Sequence, residues 1–346
     1  NRSEGDLYDI LENELERLDV KGNPLSPEEM FNKTLGNNKR KLHSIASTLS
    51  TAILLIKGSG KNWENTYPIG RTYKDRKSLD RIEKVLKPIY DDYQFELSKN
   101  NEIDFEDMLT AATECIQNGY VHPYKYVIVD EYQDISRSRY MLLKELRSSK
   151  HYKLFCVGDD WQSIYRFNGS DVSYIIEFER FWGSSEICKI ETTYRFSGEI
   201  LEKSSEFVMR NSRQFKKSLI GKGYANSLVI PIHADSEERA LSRMANMVER
   251  IPCTESVLFL GRYKHDIIKL EGCGFSWKPD LGSSSYSVYF SKRPDLKIKF
   301  MTIHSSKGLQ ADHVFILNNK KGPYGFPSMR EESILISMLL SGENSL

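Results

Sequence analysis

The 346-residue chain is 39% hydrophobic and 28% charged, enough apolar material for two or three cored domains and enough charge to keep them in water. Its five cysteines, Cys115, Cys156, Cys188, Cys253 and Cys273, are odd in number, widely spaced and form no C-x-x-C pair, which argues against a disulfide framework and a zinc site. A net charge of +1 specifies no polyanionic partner, and with an acidic N-terminus and no aliphatic run longer than Ala52 to Ile56, secretion and membrane insertion are not expected and a cytoplasmic location is.

The first hundred residues carry helical signals. Leu7, Ile10, Leu11 and Leu18 form one stripe, and Ser26-Pro-Glu-Glu29 combines an N-cap, a proline at the first helical position and a capping-box glutamate. Leu42, Ile45, Ala46, Leu49, Ile53 and Ile56 predict a helix that Gly58 closes. Leu79, Ile82, Leu86, Ile89 and Tyr93 predict a longer one kinked at Pro88. Residues 1–100 therefore read as a helical subdomain. Asp104-Phe-Glu-Asp107 opens a short helix that ends near Gly119.

Two strand-like runs follow, and each ends in acids. Lys125-Tyr-Val-Ile-Val-Asp130-Glu131-Tyr-Gln-Asp134 is a β-branched run that stops at adjacent carboxylates, as expected of a buried parallel strand. Leu154-Phe-Cys-Val-Gly-Asp159-Asp160 repeats the arrangement. Tyr140, Leu143 and Leu146 lie at helical spacing between them, so the stretch reads as strand, helix and parallel strand with both acidic loops on one sheet edge. Ligands of open α/β sheets bind at that edge, and an Asp–Glu pair there suits one carboxylate on Mg²⁺ and one beside an attacking water. The bland reading is a charged loop capping the next helix.

In the second acidic loop, Gln162 offers an uncharged hydrogen-bonding group that could sense a terminal phosphate. Tyr165 and Phe167, two apart, share a face if the segment is extended, and offer a stacking platform for unpaired bases; otherwise both rings are core. Beyond Phe181 the α/β pattern continues. Strands are predicted at Glu186 to Glu191, Ser227 to His233, Ser256 to Leu260, Ile298 to Ile303 and His313 to Leu317. A helix capped by Asp235 carries Leu241, Met244, Val248 and Ile251, and a glycine- and serine-rich loop runs from Gly272 to Ser285. Thr193-Tyr194-Arg195-Phe196 sets an aromatic plane beside a guanidinium, suited to an adenine ring and a γ-phosphate. Thr302-Ile-His304-Ser-Ser-Lys307-Gly308-Leu-Gln310 gathers hydroxyl, imidazole, ammonium and a glycine amide, all able to contact phosphates, although a lone histidine at a strand end is more often structural. Basic clusters at Lys61 to Lys87, at Arg213, Lys216, Lys217 and Lys222, and at Arg293, Lys297 and Lys299 are either solvated faces or further phosphate contacts.

Taken in order, Asp130-Glu-Tyr-Gln-Asp, Gly158-Asp-Asp-Trp-Gln-Ser-Ile-Tyr-Arg-Phe, Thr193-Tyr-Arg-Phe and Met301-Thr-Ile-His-Ser-Ser-Lys-Gly-Leu-Gln resemble motifs II, III, IV and V of the UvrD/Rep-like superfamily 1 DNA helicases, and Asp104-Phe-Glu-Asp-Met-Leu resembles the segment before motif II. The resemblance implies an α/β fold of two RecA-like motor domains, both incomplete here. Residues 1–100 would be a helical insertion of 1B type, 101–185 part of domain 1A, and 186–346 part of domain 2A with 2B reduced or absent. It implies ATP and Mg²⁺ as cofactors and single-stranded DNA, or DNA with single-stranded tails, as partner. Asp130 would hold the metal, Glu131 would activate water, Gln162 and Arg195 would meet the γ-phosphate, and Tyr194 would stack on adenine. Tyr165 and Phe167 would stack on DNA bases. Thr302, His304 and Lys307 would contact the strand, and Gly308 and Gln310 the nucleotide, with Gln310 standing where the family more often has glutamate.

The departures are as informative. No G-x-x-x-x-G-K-[ST] occurs; Lys57-Gly-Ser-Gly-Lys-Asn62 lacks its first glycine, ends in asparagine and follows a helix. The family's late arginine motif is missing too. The expectation is an internal portion of a 3′-to-5′ DNA helicase, inactive alone because the phosphate cradle and the late arginine lie elsewhere. The competing expectation is a shortened module that binds single-stranded DNA or a repair partner without hydrolysing anything.

Overall fold

The computed structural model describes residues 39–59, 73–223, 227–322, 324–326 and 328–329; the stripe from Leu7 to Leu18, the helix start at Pro27 and Gly60 to Asn62 lie outside them. The chain divides into two compact units between Ser185 and Glu186. No described helix is long and apolar enough to cross a membrane, and all five cysteines are free thiols.

The first unit opens with helices α1 (Lys39–Gly58), α2 (Tyr73–Asn100) and α3 (Phe105–Gln117). Pro88 sits inside α2, which continues through it as helix. Asp104 caps α3 in a reciprocal box with Asp107: its side chain accepts from the Glu106 and Asp107 amides, and Asp107 accepts from the Asp104 amide. The same two carboxylates hold the Lys57 ammonium at the end of α1, each at 2.6 Å. From α2, Gln94 Oε1 accepts from Lys57 Nζ at 3.1 Å and the Tyr93 hydroxyl donates to Asp104 Oδ2 at 3.0 Å. Three helices thus meet on one buried cation.

Strands β1 (Tyr126–Val129) and β2 (Lys153–Cys156) pair in parallel, Tyr126 opposite Lys153 through Val129 opposite Cys156, with helix α4 (Arg137–Ser149) between them in sequence. Ser136 caps α4 through its hydroxyl. The inner face of the pair packs on an aromatic cluster supplied by α4 and two short helices, α5 (Ser173–Ile176) and α6 (Phe178–Trp182). Tyr140 stacks on Tyr174 at 4.6 Å and meets Phe181 and Trp182 edge-on. Burial against this cluster pushes the Cys156 thiol up to about 12, so it is an inert thiol at neutral pH. The strands are not buried on both faces as their apolar runs predict: Ile128 is 72% and Phe155 63% exposed on the opposite face. Apolarity on both sides is visible in sequence, but what covers each side is not.

In the second unit, β3 (Thr192–Thr193) and β4 (Ile220–Gly221) form a two-residue parallel pair flanking helix α7 (Gly198–Met209). The strand expected at Glu186 to Glu191 is therefore displaced to Thr192–Thr193, and Ser227 to His233 is not a strand. Helix α8 (Glu237–Glu249) presents Met244 and Val248 to the core. Its cap is Ser236, whose hydroxyl accepts from the Arg239 amide; Asp235 pairs with the Arg239 side chain instead. A five-stranded sheet follows, ordered β6 (Phe275–Pro279), β7 (Tyr286–Phe290), β8 (Arg293–Thr302), β5 (Ser256–Gly261), β9 (His313–Ile316). β5 is parallel to both β8 and β9, whereas β6, β7 and β8 are antiparallel. β6 lies inside the stretch whose glycines and serines predict a loop: Phe275 and Trp277 supply the alternation, and Phe275 stacks on Phe290 at 4.4 Å. Along β8, buried Leu296, Ile298 and Phe300 alternate with exposed Lys297 and Lys299, so two of the three basic residues there are the outer half of a period-2 pattern. The third, Arg293, is paired with Asp295 and with the Glu249 and Ile251 carbonyls.

Candidate active site

The carboxyl ends of β1 and β2 are shaped by one residue. Val157 donates its amide to the Val129 carbonyl and accepts from the Tyr132 amide, so the ladder skips from 129 to 132 and Asp130 and Glu131 are left protruding. Tyr132 anchors the return: it is fully buried, its hydroxyl accepts from the Trp182 indole at 2.6 Å, and its ring meets Phe178 edge-on. The backbone of Glu131 consequently sits in the left-handed region, at φ 51° and ψ 40°. That is an uncommon conformation for glutamate, sustained because both flanks are fixed. Asp130 and Glu131 are both exposed, and the Glu131 amide donates to Asp130 Oδ1 at 2.8 Å.

Glu131 and Gln162 are joined through two further residues. Gln133 donates from Nε2 to Glu131 Oε2 at 2.5 Å and accepts at Oε1 from the Asp159 amide at 2.9 Å. Asp159 caps the turn Asp160–Gln162 and accepts at Oδ2 from Gln162 Nε2 at 2.7 Å. The chain passes so close that a Cβ on Gly158 would lie 2.7 Å from Gln133 Oε1 and 2.9 Å from Ile175 Cδ1, which explains the glycine. The far end of the loop is pinned by the Asp171 amide on the Ile135 carbonyl. Tyr165 and Phe167 lie within it, not in an extended segment but around the turn Arg166–Asn168; their rings still meet, edge-on at 6.1 Å, with Phe167 exposed and Tyr165 partly so.

The second unit holds the other singled-out residues in two places. Tyr194 and Arg195, both exposed, follow the carboxyl end of β3, where the Arg195 amide donates to Thr193 Oγ1 at 3.4 Å. Thr302 ends β8, His304, Lys307 and Gly308 fall on the turns that follow it, and Gln310 lies just beyond them. Thr302 Oγ1 accepts from the Ser305 amide, and Gly308 adopts φ 80°, which glycine tolerates without strain. His304 is half-buried with the Arg262 guanidinium 3.1 Å from Nε2. Burial, and then the Arg262 charge, hold its pKa below the usual imidazole value, so the ring is neutral at pH 7. Arg262→Met is expected to raise the His304 pKa part of the way back, since burial remains; an NMR titration showing no change would dissociate the two side chains.

Sequence reasoning missed Gln133, Asp159 and Arg262 as members of these sites. Gln133 stands inside the first acidic cluster, and a neutral amide among acids is the signal that points to it.

Residues 8–182, half of the chain, match the UvrD/REP helicase N-terminal domain. This chain belongs to the UvrD/Rep helicase family. It is 34% identical to DNA helicase IV of Escherichia coli over 74% of its own length and 35% of that protein's. To the ATP-dependent DNA helicase PcrA of Bacillus subtilis it is 34% identical over 40% of its length and 19% of that protein's. To the ATP-dependent DNA helicase Rep of Buchnera aphidicola it is 28% identical over 68% and 37%. The chain thus spans between about a fifth and two fifths of these relatives' lengths.

Proposed function

We propose that the protein containing this chain hydrolyses ATP to move 3′ to 5′ along single-stranded DNA, or DNA with single-stranded tails, and that the chain supplies parts of two RecA-like domains. Residues 1–100 would be a 1B-like helical subdomain, 101–185 part of 1A, and 186–346 part of 2A with 2B reduced or absent. The observation that carries the proposal is the hydrogen-bonded series Glu131, Gln133, Asp159, Gln162 across the carboxyl ends of two parallel strands, the edge where open α/β sheets take ligands. Family membership and the ATP-dependent helicases among the relatives support the same reading.

In this reading Asp130 holds Mg²⁺. No group of three or more His, Cys, Asp or Glu side chains able to cage a metal exists among the described residues. A single exposed carboxylate still fits Mg²⁺, which is held by one or two carboxylates with substrate phosphates and water completing its shell. When bound, the ion neutralises charge on the β- and γ-phosphates. Glu131 takes the proton of the attacking water and Gln162 contacts the γ-phosphate. By resemblance Arg195 meets the same phosphate, Tyr194 the adenine, and Gly308 and Gln310 the nucleotide, while Thr302, His304 and Lys307 contact DNA.

Tyr165 and Phe167 offer the aromatic surface for bases. Tyr165→Ala is expected to weaken single-strand binding by about 1–3 kcal/mol; an unchanged titration would return the ring to a packing role. The proposal as a whole is tested by ATP turnover of the full-length protein with and without single-stranded DNA. DNA-stimulated hydrolysis supports it, and strand binding without any hydrolysis supports the non-hydrolysing module instead.

A further inference from the structure

We propose that Gln133 is a positioning residue that aims the Glu131 carboxylate and couples it to the loop bearing Gln162, Tyr165 and Phe167. The inference rests on the hydrolytic reading above and adds to it a residue in contact with neither nucleotide nor DNA.

Glu131 is exposed and projects from a protruding turn, so its own backbone leaves its carboxylate several rotamers. The bond from Gln133 Nε2 selects one of them. Gln133 is itself held on every side. It is 0% exposed, Asp159 and Ser163 donate to its side-chain and main-chain carbonyls, and Tyr132 before it is clamped by Trp182. Gly158 closes over its amide with no room for a Cβ.

The residue type follows from these contacts. One end must donate to a carboxylate and the other must accept from an amide, which a neutral carboxamide does and a carboxylate or an alkyl chain does not. Because the Asp159 carboxylate in turn holds Gln162, a displacement of that loop by phosphate or by a stacked base is passed to Glu131 through the Gln133 amide. During hydrolysis the water oxygen bonds to the γ-phosphorus as its proton goes to Glu131, and the bond from that phosphorus to the bridging oxygen breaks to release ADP and phosphate; Gln133 exchanges no proton.

The test compares Gln133→Glu, Gln133→Met and Glu131→Gln in the full-length protein, measuring kcat, KM for ATP and the stoichiometry of nucleotide binding with saturating single-stranded DNA. Both Gln133 variants are expected to lose about 10- to 100-fold in kcat with KM little changed, the cost of a misaimed base. Gln133→Glu should lose at least as much as Gln133→Met, because its carboxylate cannot donate to Glu131 and faces it with like charge. A merely structural role would lower the fraction of molecules that bind nucleotide and leave kcat per nucleotide-binding site unchanged. Parent-like kcat per nucleotide-binding site in either folded Gln133 variant overturns the proposal. If Glu131→Gln turns over normally, the hydrolytic reading itself fails, whatever the Gln133 variants do.

Discussion

Glu131→Gln in the full-length protein is expected to stop ATP turnover while leaving ATP binding intact. The substitution preserves shape and removes only the ability to take a proton, so the loss should match that of a general base, about 10²- to 10⁴-fold in kcat. The left-handed turn at 131 and the Tyr132 anchor do not depend on the carboxylate charge, since they are set by main-chain bonds to Val157 and by the buried ring. Binding should persist because phosphate and metal contacts are assigned to other side chains. Steady-state turnover together with equilibrium binding of a fluorescent nucleotide separates the two effects. Unchanged turnover would remove Glu131 from its assigned role, and lost binding would show that the substitution disturbs more than proton transfer.

The second large effect is on stability. Lys57→Met is expected to destabilise the first unit by about 3 kcal/mol, the lower end for breaking a buried ion pair, because the side chains of Asp104 and Asp107 keep 14% and 22% of their exposure and water screens part of the loss. The Lys57 side chain is only 4% exposed, and its removal leaves two carboxylates at a three-helix junction without their cation. The pH dependence follows from the same contacts. Burial pushes the Asp104 carboxyl up, but hydrogen bonds from Lys57, the Asp107 amide and Tyr93 outweigh it, and the net shift is downward. Its contribution is therefore complete above the unfolded carboxylate value of about 4 and is lost as pH falls through the lower folded value. Tyr93 is pushed up to about 12, first by burial and then by its bond to Asp104. Its share holds below pH 10 and fades between about 10 and 12. Urea unfolding across pH should show the parent losing stability at the acid end and Lys57→Met losing less there. Equal denaturation midpoints for the two proteins at pH 7 would contradict the account.

The alternation and spacing in the sequence carried the parts of the fold that depend on local pattern. β1, α4 and β2, the parallel sense of the strands and the carboxylates at their ends follow from apolar runs that stop at acids, and the helix start at Asp104 follows from its acidic opening. What stayed hidden depends on where the chain goes in three dimensions. The φ of Glu131 arises because Val157 donates to Val129 before it and accepts from Tyr132 after it, a fact about strand pairing. Gln133 looks like one more polar loop residue until burial shows both ends of its amide in use. β6 was obscured because glycines and serines mask Phe275 and Trp277, whose value comes from a partner strand. The cap of α8 differs by one residue, since aspartate and serine are both strong caps and only the backbone decides which one reaches the amide.

At the centre of the account is the assignment of the Asp130–Glu131 turn and the Gln162 loop to one polyphosphate. An experimental structure of the full-length protein with Mg²⁺ and a non-hydrolysable ATP analogue measures this directly. The expected result is the metal about 2.1 Å from an Asp130 carboxylate oxygen and Gln162 Nε2 within about 3 Å of a terminal phosphate oxygen. Phosphates seated away from both side chains would contradict it.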